Sequence, residues 1–197
     1  MALRSNAPVT AGGRPGVDRL LVVSALVCAF AWQASAASEP KSAVTVREEA
    51  GLYRVVATFR VLQPAAIAMA VLTDYEHIPS FMPDVRRSTV LERSGDSVVV
   101  DQEAVARLTM FSKRIHLVLD IQERPGGISF QDRCGESFTR YEGGWTVERT
   151  GPDTTIEYSL TAQPSFDVPA FVLRRLLKRD STRMIERLRA EIAGRGR

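Results

Sequence analysis

The residues able to carry chemistry are few and scattered. The chain of 197 residues has two histidines, His77 and His116, and two cysteines, Cys28 and Cys134. None of them shows the close, repeated spacing of a zinc site, so no metal ligand and no cofactor is expected. No Gly-x-Ser-x-Gly elbow is present to carry a serine nucleophile. Gly12-Gly13-Arg14-Pro15-Gly16 follows no strand and is therefore no phosphate loop. Asp74 and His77 stand three apart and would pair as carboxylate and imidazole at an exposed helix end. His116 falls out of phase with Ile115 and Leu117, so it is expected to face solvent. Glu48 and Glu49 are neighbours in an extended run, on opposite strand faces, and cannot form an acid/base dyad. Cys134 precedes Gly135 in an expected turn and reads as a structural thiol, with only Arg133 beside it in sequence. Tyr75, Tyr158 and Asp180 remain as polar groups that could reach an interior and move a proton. No residue is assigned a catalytic role.

The elements that must position these groups centre on Leu72–Val85. There an Ala-rich helical run ends and two prolines follow, Pro79 and Pro83. Neither is suited to a helix interior, so Phe81 and Met82 lie on an irregular corner and must be buried or line a cavity. Before the corner, Tyr53, Val55, Ala57, Phe59 and Val61 alternate with polar residues, the mark of a half-buried strand. Pro64 then opens a helix running from Ala65 to Thr73. After the corner comes a meander: Arg86 to Arg93, Val98 to Arg107, the period of two through Ile115, Leu117, Leu119 and Ile121, then Ile128 to Asp132. Ser137 to Glu148 and the alternation Ile156, Tyr158, Leu160, Ala162 complete it. Turns at 94–97, 124–127, 134–135 and 151–153 make neighbouring strands antiparallel. Gly143 and Gly144 predict a bulge or bend that presents Trp145. The chain ends in one long helix with Asp167 as its N-cap. Leu173, Leu177, Met184, Leu188 and Ile192 share one face, and Asp180 interrupts that stripe.

The N-terminus carries Arg4, Arg14 and Arg19 against Asp18, then an apolar run from Leu20 to Trp32, then Ala34-Ser35-Ala36. This is the pattern of a secretory signal peptide over residues 1–36, cut after Ala36, leaving a domain over 37–197. The alternative is an uncleaved anchor, since the uncharged run from Leu20 to Ser38 could span a bilayer. A periplasmic location is expected in the first case and a membrane-anchored one in the second. Val27 before Cys28 argues against a lipoprotein anchor, whose signal resembles a pattern with a small residue there. Without residues 1–36 the chain has 23 Lys+Arg against 22 Asp+Glu, so the high overall pI is no sign of nucleic-acid binding. The basic residues concentrate at the end. Val168 to Arg197 holds nine against three acidic, a net charge of +6, which points to peripheral contact with an anionic membrane surface.

Three motifs in order resemble the START-like helix-grip superfamily (SRPBCC), in its polyketide cyclase/dehydrase or coenzyme-Q-binding START-type branch. They are Asp74-Tyr75 followed by Pro79-x-Phe81-x-Pro83-x-Val85; Gly135 to Trp145, close to the family's Gly-Asp-Phe…Gly-x-Trp strand but with Glu136 and Ser137 departing from it; and Pro164-x-Phe166…Pro169 leading to Leu177-Lys178-Arg179-Asp180. The resemblance covers Val44 to Ile192. It implies an α+β helix-grip fold: a curved antiparallel sheet of six or seven strands around a long C-terminal helix, with two short helices after the first strand. Such a sheet is too strongly curved for one helix to fill, and a cavity remains. The expected walls are Phe81, Met82, Trp145, Phe166, Phe171 and Leu177, with Tyr75 and Asp180 as polar anchors. The apolar walls, and the poverty of ionisable groups that could face inward, favour a carrier for a hydrophobic small molecule, a quinone, a lipid or a polyketide-like aromatic, exported through the N-terminal signal. The alternative is an aromatase/cyclase-type enzyme working in the same cavity.

Overall fold

Two strands, not one, precede the first helix. In the computed structural model, which describes residues 43–107 and 112–197, β1 (Ala43–Glu49) and β2 (Leu52–Val61) form a hairpin. Its two-residue loop puts both Ala50 and Gly51 at positive φ, 50° and 78°. That is the geometry whose twist matches paired strands, although a loop with alanine at its first position carries no Asn-Gly signature. β1 is a largely exposed edge strand, so its apolar alternation is short and its register is set by β2. The segment read as a signal peptide, with Cys28 and Trp32, lies outside the described residues.

Next come α1 (Ala65–Leu72), a single 3-10 turn (Tyr75–His77) and α2 (Ile78–Phe81). The corner is thus more regular than its prolines suggest. Pro79 sits in the first turn of α2, where a backbone N–H has no helical partner to lose, and Pro83 falls beyond the end. Six strands follow: β3 (Val85–Ser94), β4 (Ser97–Arg107), β5 (Ser112–Arg124), β6 (Gly127–Asp132), β7 (Phe138–Thr150) and β8 (Asp153–Pro164). The sheet has eight strands in the order β1-β2-β8-β7-β6-β5-β4-β3, antiparallel throughout. Its inner face buries Val55, Phe59, Val100, Ile115, Leu119, Ile156 and Leu160. The last element, α3, runs over 26 residues, Ala170–Arg195. Its cap position is Pro169, with no side-chain cap bond, so Asp167 does not cap it. Leu173, Leu176, Ser181, Ile185, Leu188 and Ile192 are its buried face. This is the helix-grip fold. Among the described residues no helix is long and apolar enough to cross a membrane.

The glycine pair in β7 forms no bulge. Gly143 and Gly144 pair regularly with Leu160 and Ser159. A Cβ on Gly143 would strike the Ser159 carbonyl and lie 2.8 Å from Phe130 Cζ; one on Gly144 would lie 2.6 Å from the Ile128 carbonyl oxygen. The glycines permit close approach in a strongly curved sheet. The irregularity of β7 lies earlier, as a register shift between Phe138 and Arg140.

Candidate functional site

Between the concave face of the sheet, the α1–α2 corner and the middle of α3 lies a cavity of about 350 Å³. Six of the eight expected site residues border it: Tyr75, Phe81, Met82, Trp145, Leu177 and Asp180. Strand alternation supplies the floor through Ile115, Leu117, Leu119, Ile121, Ile128 and Leu160. The corner supplies the lid edge: Arg187 of α3 donates to the Phe81 carbonyl at 3.4 Å, joining α2 to the long helix.

Two expected wall residues stand elsewhere. Phe171 is 68% exposed, because it precedes Leu173 by two positions, roughly 200° around the helix from the buried face. Phe166 packs edge-on against Phe138 at 6.4 Å, with the Lys113 ammonium 4.9 Å from its ring centre. Phe138 lines the cavity and Phe166 backs it from outside.

One inward polar group escaped the sequence reading. Tyr141 borders the cavity with its phenol interacting with that of Tyr158, whose ring lies 4.4 Å from Trp145, tilted by 36°. The register shift after Phe138 explains the omission. Phe138 and Tyr141, three apart, share a face that strict alternation would deny them. Tyr141-x-Gly143-x-Trp145 is the period-of-two signal that would have found it. Burial pushes the Tyr141 phenol up to about 12 and raises Tyr158 as well, so both stay neutral hydrogen-bonding groups near pH 7. Tyr75 is also raised by burial and by Glu123, whose carboxylate accepts its hydroxyl at 2.9 Å, so this phenol is already spoken for. Asp180 accepts from Arg179 Nε at 2.8 Å, while the same guanidinium donates to the Arg107 carbonyl at 2.8 Å. Arg183 and Arg187 bring positive charge to the α3 side of the cavity.

The family described as polyketide cyclase/dehydrase and lipid transport matches the chain over residues 61–189. The chain belongs to this family. Its fold is similar to that of a START superfamily protein from Mycobacterium smegmatis, at 18% identity and a TM-score of 0.62, covering 72% of this chain and 97% of that one. It is similar to the ZhuI aromatase/cyclase from Streptomyces sp. R1128, at 15% identity and a TM-score of 0.63, over 74% and 96% of the two chains. A STAR-related lipid transfer protein from Xanthomonas axonopodis aligns at 15% identity with a TM-score of 0.58, over 78% of this chain and 99% of that one. At such identities the likeness concerns the fold. No curated protein matches the sequence. The START-like family thus unites proteins described as carriers with proteins described as enzymes, and the cavity's own chemistry must separate them.

The two histidines lie apart from the cavity lining. His77 Nδ1 is 2.6 Å from Asp74 Oδ1, and Arg195 reaches the other Asp74 oxygen at 2.7 Å. This START-like chain uses the pair to fasten the corner to the end of α3. His116 is on the opposite sheet face, as its phase requires, but it is held rather than free, between Asp101 and Glu136.

Proposed function

We propose that this START-like protein is a carrier that holds a hydrophobic small molecule, a lipid or a quinone, in the cavity under the α1–α2 corner. The supporting observation is the cavity itself: about 350 Å³, mostly apolar in its walls, with the Tyr141 and Tyr158 phenols among its few polar groups on the strand side. General base work near pH 7 favours a group titrating near that pH, and both phenols are shifted away from it. They are suited to hydrogen-bond a carbonyl or hydroxyl on an otherwise apolar ligand. The cyclase-type reading rests on the same pair, which could orient a polyketone without transferring a proton. Export to the periplasm after cleavage near Ala36 completes the proposal, with the basic face of α3 approaching anionic lipid. The intact mass of protein recovered from the periplasm should then begin within a few residues of Ala37; a full-length mass in the membrane fraction overturns export by cleavage.

Trp145 is the natural reporter, beside Tyr158 at the cavity wall. With Trp32 replaced by Phe, titration with a short-chain quinone and a fatty acid should give a saturable fluorescence change at micromolar ligand. Micromolar binding, about 8 kcal/mol, needs about 500 Å² buried at roughly 25 cal/mol per Å² to offset an association cost of about 4 kcal/mol. Met82→Trp, which fills the space, should weaken it. No saturable response to either ligand, together with a Met82→Trp protein destabilised as an overpacked core would be, overturns the carrier.

A further inference from the structure

On the face of the sheet opposite the cavity, residues from three places in the sequence meet. His116 of β5 has Nε2 2.7 Å from Asp101 Oδ1 of β4, and Nδ1 2.9 Å from Glu136 Oε2 in the turn before β7. Cys134 of the same turn joins them: its Sγ, a ring nitrogen of His116 and a carboxylate oxygen of Glu136 all lie within 4.8 Å of one another. We propose that His116, Cys134 and Glu136 form a binding site for a borderline divalent cation of the zinc class.

The donor set is one imidazole nitrogen, one sulfur and one carboxylate oxygen, the mixture zinc accepts. Tetrahedral ligands at zinc bond lengths sit roughly 3.3–3.8 Å apart, so a small side-chain movement suffices, the sulfur closing from at most 4.8 Å and the Glu136 oxygen opening from 2.9 Å. Glu136, 63% exposed at its side chain, has room to make it. The cysteine is held ready by the backbone. Asp132 Oδ1 accepts the N–H groups of Val118 at 2.9 Å and Cys134 at 3.3 Å, and its Oδ2 accepts that of Gly135 at 3.1 Å. Gly135 at φ +68° lets the chain turn there.

The imidazole is oriented as a ligand should be. A metal-bound histidine typically gives its other ring N–H to a carboxylate. Here Asp101 takes Nε2 and leaves Nδ1 toward Glu136 and the metal. Asp101 is itself nine-tenths buried and anchored by Arg87 at 2.7 Å, which also grips Glu103 at 2.8 Å. Three protein ligands leave a fourth position for water on the solvent side. A cation there would clip β5 to the β6–β7 turn from outside the sheet. None of the three ligands lines the cavity, so this site stands or falls apart from the carrier reading.

The test uses the full chain with Cys28→Ser, so that Cys134 is the sole thiol. Titration with Co²⁺ should saturate at one equivalent, with a thiolate-to-cobalt charge-transfer band in the near ultraviolet that Zn²⁺ abolishes. Cys134→Ser should remove the band. Asp101→Asn should keep it but weaken Co²⁺ affinity by 10–100-fold. Glu136→Gln, at an exposed position, should also weaken binding while far-ultraviolet circular dichroism stays unchanged. Absence of the thiolate band, or a weak Co²⁺ response that Asp101→Asn and Glu136→Gln leave unaltered, overturns the site.

Discussion

Two phenols stand on the strand side of the cavity. Tyr158 is buried and Tyr141 partly buried, and their phenols interact on the cavity wall, so each hydroxyl is placed to serve the other as a partner. Removing one hydroxyl leaves its partner buried and unmatched, which costs about 1–3 kcal/mol, whereas removing both deletes donor and acceptor together. Tyr141→Phe or Tyr158→Phe alone should therefore lower stability in urea unfolding by that amount, and the double variant should recover most of the loss. Additive losses would mean that each hydroxyl has an independent partner, and the pair would not be the unit described. The same double variant separates binding modes: a ligand held by apolar contact alone keeps its affinity in it, and a ligand with a hydrogen-bonded carbonyl loses it.

Among the elements, the corner matters most, because it closes the cavity and is built from short pieces. The 3-10 turn and the four-residue α2 cannot be stable by themselves. Besides the Arg187–Phe81 bond, they are held to α3 through Asp74, which pairs with His77 and Arg195, while Arg195 also meets Glu191 at 2.7 Å. Desolvation raises the Asp74 carboxyl, but the hydrogen bonds from His77 and Arg195 outweigh it and leave the group below the usual carboxylate range. A carboxyl depressed in the folded state contributes stability that is present above its unfolded pKa, near 3.9, and is lost as pH falls through its folded value. Arg195→Gln should thus cost about 0.5–1 kcal/mol at pH 7, as a partly exposed pair does. The gap from wild type should shrink as pH is lowered below about 3.9. A gap that is the same at pH 7 and in strong acid would show that the arginine acts through something other than the Asp74 charge.

At the scale of the whole molecule, charge is unevenly placed. The segment from Val168 carries +6, and the preceding residues from Ala37 carry 14 basic against 19 acidic groups. Near an anionic surface each basic residue contributes about 1 kcal/mol, so the end bearing α3 should be drawn to anionic lipid. The protein should co-sediment with vesicles containing anionic lipid more than with neutral ones. Replacing Arg174, Arg175 and Arg183 together by Ser should reduce the difference. Equal sedimentation with both vesicle types, or no effect of the triple change, overturns the membrane reading.

The order of elements was legible because it is written in local periodicities. Alternation through Ile115–Ile121 and Ile156–Ala162, and the stripe from Leu173 to Ile192, depend only on which face of one strand or helix is buried. The motifs around Pro79–Val85 and Gly135–Trp145 then named the family. Most of the cavity followed from these, since Phe81, Met82, Trp145 and Leu177 lie on faces that periodicity and the prolines define. What sequence could not decide depends on neighbours distant along the chain. The extended run from Val44 is two strands because β1 folds back to pair with β2 through Ala50 and Gly51. Phe171 is exposed because its phase on α3 is two residues from Leu173. Tyr141 turns inward because a register shift against β8 moves it. Gly143 and Gly144 answer to the crowding of Ser159, Phe130 and Ile128 across the ladder, not to a bulge in their own strand. His116, Asp101, Cys134 and Glu136 have no sequence spacing that marks them as a set, and only the pairing of β4 with β5 and the fold of the turn before β7 bring them together.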